Sequence, residues 1–109
     1  MSKERKNIKD IEIEDLVGRW DAEPNEIIER LFIHDGRTFE IIFQSGSVIT
    51  GKIELNQLSP EDLPQLELMN VQGNNELLNK NSWTIWRYAG NEIDINFSDN
   101  LRIMFNLIN

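Results

Sequence analysis

The chain of 109 residues has no cysteine, one histidine, one tyrosine and three prolines. Without a thiol, disulfides, thiolate catalysis and cysteine-held zinc are excluded. The lone histidine, His34, leaves any transition-metal site to carboxylates, so it reads as an exposed residue beside a turn. Cations are scarce as well: 11 Lys and Arg stand against 19 Asp and Glu, a net charge of −8. Such a surface repels phosphate backbones and anionic lipid, which argues against nucleic-acid and membrane partners. The favoured protein partner of so acidic a chain is a basic one. No apolar run approaches the roughly 20 residues of a membrane span. The opening "MSKERKNIKDIEIED" has basic residues with no apolar run behind them, unlike a secretory signal. The expected location is the cytoplasm.

Signatures of catalysis are missing too. There is no phosphate-binding loop, dinucleotide fingerprint or nucleophile elbow. Glu92 and Asp94 alternate on one strand, a poor geometry for a paired-carboxylate acid/base site. The acidic run Asp10, Glu12, Glu14 and Asp15 lacks the spacing of a calcium loop. No enzymatic activity, metal or cofactor is expected.

What the chain does have is alternation cut by tight turns. With 39% hydrophobic and 8% aromatic residues it has the composition of one folded domain. Residues 1–14 read as a basic tail with a short helix or turn, in which Ile8, Ile11 and Leu16 offer an apolar edge. Residues 15–109 read as the folded body. "RTFEIIFQSG" puts Phe39, Ile41 and Phe43 on one face. "SVITGKIELN" puts Ile49, Gly51, Ile53 and Leu55 on one face. A connection through Ser45-Gly46-Ser47 sets Phe43 across from Ile49 and Glu40 across from Lys52. Upstream, Asp35-Gly36 is a strong two-residue hairpin signal. It pairs Phe32 with Phe39 and Ile28 with Phe43. Residues 25–33 also suit a helix capped by Asn25, so strand and helix both stand for that segment.

The C-terminal third repeats the pattern. "EIDINF" points Ile93, Ile95 and Phe97 inward, and "LRIMFNLIN" offers Leu101, Ile103, Phe105 and Leu107. Ser98-Asp99-Asn100 closes these two with Ile95 opposite Ile103. "SWTIWRYAGN" sets Trp86 or Tyr88 beside Ile93, with Arg87 near Glu92 outside. Pro60 and Pro64 mark a loop, followed by a strand over about 65–71 and one helical turn at Glu76–Leu78. Together these make about eight short strands in up-and-down order. An open sheet of that length leaves two edges exposed, whereas closure removes both. The expected fold is all-β: a small antiparallel up-and-down β-barrel with a short N-terminal helix or turn.

"LVGRW" followed by "LFIHDGRTFEIIFQSGSVITGKIEL", and the tail "SWTIWRYAGNEIDINFSDNLRIMFNLI", resembles bacterial lipocalin-like domains of the calycin type over about residues 15–109. The resemblance implies that Gly18 lets the first strand bend and that Trp20 plugs one end from inside. Many lipocalins pack an arginine from the end of the last strand over that tryptophan. Here the only arginine of that strand, Arg102, lies at its other end. The fold so implied suggests a non-catalytic barrel binding a small apolar, anionic ligand, lined by Arg30, Phe32, Phe43, Trp86, Tyr88 and Phe97. Arg30 either points inward, where a charge needs an anionic partner, or sits in solvent if the strand is shifted. An eight-stranded barrel is also small enough to be filled by its own side chains. The alternative function is an acidic interaction module, of inhibitor or immunity type, that binds a basic protein.

Overall fold

A computed structural model of the chain describes residues 6–74, 81–98 and 100–108, so the turn expected at Glu76–Leu78 lies outside the described residues. Eight strands follow in chain order: β1 Gly18–Ala22, β2 Ile28–His34, β3 Thr38–Phe43, β4 Val48–Asn56, β5 Gln65–Gly73, β6 Ser82–Tyr88, β7 Glu92–Ser98 and β8 Leu101–Ile108. Each pairs antiparallel with the next, and β8 returns to β1 to close the barrel. The alternation explains which side is which. In β3, Phe39, Ile41 and Phe43 are buried; in β7, Ile93, Ile95 and Phe97 are.

Closure rests on β1, which has five residues and pairs on both sides. Trp20 lies opposite Leu31 of β2 and Leu107 of β8. It is fully buried, and its indole Nε1 donates to the Leu16 carbonyl at 2.8 Å. Leu16 ends the second of two 3-10 turns, Ile8–Asp10 and Ile13–Leu16, which lie before the barrel. Ile11, Ile13 and Leu16 are buried against the core, so the described part of the N-terminal segment is packed. Gly18 has a φ of +146°, which L side chains rarely adopt, and a Cβ there would lie 2.8 Å from Leu107 Cδ1. A glycine two places before the tryptophan lets β1 meet β8 closely while the indole enters the core.

The hairpins depart from simple alternation in instructive ways. Residues 28–34 form a strand, and Asn25 serves the loop before it instead of a helix. Its Oδ1 accepts from the Ile27 and Ile28 amides, and its Nδ2 donates to the Glu23 and Ile28 carbonyls. The β2–β3 turn holds three residues, because His34 pairs with Thr38, and both Gly36 and Arg37 have positive φ. That longer turn pairs Ile33, not Phe32, with Phe39. A bulge between Ile28 and Arg30 then shifts the register back, so Ile28 still faces Phe43. The two one-residue departures cancel at the far end and leave the middle of β2 inverted. In the next hairpin Ile41, not Phe43, faces Ile49, a two-residue slip that keeps every side chain on its expected face. Glu40 consequently sits across from Thr50, and Lys52 across from Thr38. Ile95 does pair with Ile103.

Replacing Gly18 with alanine should cost about 1–3 kcal/mol of stability, from the disfavoured backbone region together with the contact to Leu107. Urea denaturation of the variant should show a lower midpoint with an unchanged slope. A midpoint equal to that of the parent would remove the special role of the glycine.

Candidate functional site

The lumen is filled by the chain itself. Phe39, Trp83, Phe97 and Phe105 run edge-to-face through it, with ring centroids 5.9, 4.8 and 6.0 Å apart in that order. Such spacings are those of attractive aromatic pairs. Phe43 packs in the same interior, and Tyr88 enters it with 7% of its surface exposed. Burial, and then the charge of Asp15, push the Tyr88 hydroxyl pKa up. Among the described residues no charged side chain is buried. Among the described residues, clefts of about 180–480 Å³ open on the outside; Phe39 lines one of them, beside Gly51. Among the described residues two buried side-chain polar atoms lack a partner, Trp83 Nε1 in the interior and Asp94 Oδ1.

Of the six residues expected to line a ligand cavity, Phe43, Tyr88 and Phe97 do face the lumen. Arg30, Phe32 and Trp86 do not. The bulge at Ile28/Arg30 puts Leu31 and Ile33 inside and turns Arg30 and Phe32 outward. Arg30 lies directly opposite Asp21, and its Nε donates to Asp21 Oδ1 at 3.0 Å. Phe32 stacks on His34, with centroids 5.9 Å apart. A second bulge between Ile85 and Arg87 leaves Trp86 as the extra residue, 50% exposed, while Ile85 and Tyr88 on either side of it are buried. Trp83, left out of the expected inward set, instead stands at the centre of the aromatic chain.

The outer face carries the charge. Asp21 accepts from Arg19 Nε and Nη2 at 3.0 and 3.1 Å as well as from Arg30. These bonds, Arg19 first, hold its carboxyl below the ordinary value of 3.8, against the opposing pull of burial. Arg87 donates to Glu92 at 2.8 Å and to Asp94 at 3.2 Å, as its place beside Glu92 in the sequence led one to expect. Across β4 and β5 the arrangement is repulsive, since Glu54 and Glu67 stand directly opposite each other. Beside them, a cleft of about 420 Å³ separates the 3-10 turns from β4. Ile8, Lys9, Glu12, Glu14, Arg37 and Glu54 are among the residues that line it, with Arg37 4.0 Å from both Glu14 and Glu54; Ile11 adds to its apolar side.

No protein-family model, no curated protein and no solved structure matches this chain. The site therefore has to be read from its own chemistry. Among the described residues no group of three or more histidines, cysteines and carboxylates could hold a metal ion, and no helix is long and apolar enough to cross a membrane.

Two outcomes follow from this arrangement. Phe97→Ala removes a ring between Trp83 and Phe105 and should cost about 3–5 kcal/mol. A loss below about 1 kcal/mol on denaturation would mean that the interior is loosely filled. Asp21 has a depressed folded pKa, so its contribution is complete above the unfolded value and is lost as pH falls through the folded one. Its side chain is 32% exposed, and solvent screening limits that contribution to about 0.5–1 kcal/mol. Asp21→Asn should lower stability by that much at neutral pH and flatten the acid limb of the stability curve below about pH 4. Parallel acid limbs for the two proteins would take Asp21 out of the balance.

Proposed function

We propose that this barrel is a non-catalytic interaction module that meets a basic protein partner with its outer face, in the manner of an inhibitor or immunity-type protein. The carrying observation is that Phe39, Trp83, Phe97 and Phe105 pack edge-to-face in the interior, while among the described residues the charged side chains stand outside. The opposed pair Glu54 and Glu67 supports the reading, because like charges directly across a ladder destabilise it and a partner's cation would relieve them. So does the neighbouring cleft, where the three carboxylates of Glu12, Glu14 and Glu54 outnumber the two cations of Lys9 and Arg37 beside the apolar Ile8 and Ile11. Attraction of this kind speeds encounter and weakens with salt. Within this proposal the barrel is lipocalin-like in kind and works in the cytoplasm.

A second reading, the carrier of a small apolar ligand, has one observation in its favour. Trp83 Nε1 is buried without an acceptor, and a ligand oxygen reaching it between Phe43, Tyr88 and Phe97 would satisfy it. The aromatic chain would first have to part.

Native mass spectrometry and a salt series separate the two. The interaction module predicts a mass of 12.8 kDa with nothing added. It also predicts affinity for poly-lysine that falls at least about ten-fold between low and physiological salt. Replacing both Glu54 and Glu67 with glutamine should weaken that binding and raise stability by a few tenths of a kcal/mol. Glu26→Gln, in the β1–β2 loop, should leave it unchanged. A co-purifying small mass, or poly-lysine binding indifferent to the β4–β5 substitutions, would overturn the reading.

A further inference from the structure

The β6 strand uses a bulge to place one side chain outside. Ile85 faces Ile95 and Arg87 faces Asp94, so Trp86 has no opposite number in β7. Ile85 before it and Tyr88 two places after it stay in the core, while Trp86 and Arg87 both face out. Trp20 and Trp83 are fully buried, whereas Trp86 is half exposed. Bulges recur where a side chain has to be re-aimed, and a large ring placed in water is a cost that folding alone does not explain.

The second observation concerns arginine. Among the described residues Arg19, Arg30, Arg37 and Arg87 each lie within 4.0 Å of one of the chain's own carboxylates. Arg102 is not among these pairs, although the sequence offers 19 acidic residues. Its guanidinium instead lies over the Trp86 ring, 5.4 Å from the centroid. The two side chains share an open hollow of about 360 Å³ with Asn96, Asn100 and Leu101. Next to it Arg87 is matched by Glu92 and Asp94.

We propose that Trp86 and Arg102, with Leu101 at the rim, form a docking point for a partner-protein segment that presents a carboxylate beside an apolar side chain. The planar guanidinium matches a carboxylate with two parallel hydrogen bonds. Stacking on the indole holds it in place beforehand, so little side-chain freedom is lost on binding. Tryptophan and arginine are also the residue types that dominate binding energy at protein interfaces. The inference rests on the outer face being the working face, as in the proposed function, and adds a local demand of opposite sign. A partner basic in bulk is drawn to β4 and β5, and one carboxylate on that partner fixes its register at β6 and β8.

A random heptapeptide library displayed on phage, selected against the intact protein and against Trp86→Ala and Arg102→Gln, tests this. Both positions lie on the outside, and an unchanged far-ultraviolet circular dichroism spectrum checks that each variant folds. Selection should enrich peptides with Asp or Glu next to a large apolar residue. The synthetic peptides should bind each variant at least ten-fold more weakly by calorimetry. Enriched peptides without an acidic residue, equal binding to the variants, or no enrichment over Trp86→Ala would overturn the docking point. So would a single-stranded oligonucleotide that binds in place of the peptides and is lost in the same variants. Basic peptides that bind both variants undiminished would overturn this inference alone and leave the basic-partner reading standing.

Discussion

A sheet of eight strands must either expose two ladders of unpaired amides or join its first strand to its last, and β1 is the piece that makes the join. Its five residues serve both neighbours at once, so nearly every position has a fixed task. Arg19 and Asp21 face outward into one ion-pair network with Arg30. Trp20 faces inward between Leu31 and Leu107 and ties itself to the Leu16 carbonyl. Because that carbonyl belongs to the second 3-10 turn, one indole nitrogen couples the N-terminal segment to the closing seam. Loss of β1 would free β2 and β8 as edges and uncover the end of the core beneath Leu16.

Closure imposes a second constraint, which is volume. Side chains from all eight strands converge on a lumen about as wide as two of them, so inward positions cannot all be large. The chain meets this by arranging its rings edge-to-face along one line and surrounding them with Ile and Leu. Gly51 marks a close approach: a Cβ there would lie 2.9 Å from the Phe39 ring and 2.8 Å from the Met69 carbonyl. Opposite it, β5 takes one residue more than β4 between Gln72 and Met69, so the bulge and the missing side chain belong to one packing solution. Bulges interrupt β2, β5, β6 and β7, each leaving one residue without an opposite number.

The same bulges decide what could be read from the sequence. Strand identity and order were legible because alternation and turn residues are local signals, as in β3 and β7, whose inward sets are as the pattern states. Phe43, Tyr88 and Phe97 follow from that pattern. Arg30, Phe32 and Trp86 do not, because a bulge is a one-residue event that reverses parity beyond it and leaves no mark in composition. Ile28 and Phe43 pair as the pattern implies, but only because a three-residue turn and a bulge offset each other. The segment "SWTIWRY" has apolar residues at both parities, Trp83 and Ile85 against Trp86 and Tyr88. Such a double-parity run is the one available sign that a strand changes face, and it identifies the place without saying which residue is expelled. Asp21 as the hub of two arginines was illegible for another reason: the pairing spans two strands whose register depends on the first bulge.

The distribution of charge around the cylinder connects these points to function. Arginines on the β1–β2 and β6–β8 sides are taken up by neighbouring carboxylates or by the Trp86 ring, so those sides approach neutrality. On β4 and β5, Glu54 and Glu67 confront each other, with Arg37 at the margin of its ion-pair distance. Lys52 stands against Glu54 and Glu67 on these two strands, so they hold one unit of the net charge of −8, and the rest of the excess lies elsewhere on the chain. Within the molecule Glu67 accepts from Asn56 Nδ2 at 3.1 Å and Arg37 lies 4.0 Å from Glu54, so each carboxylate of the opposed pair has a neighbour that offsets part of the repulsion.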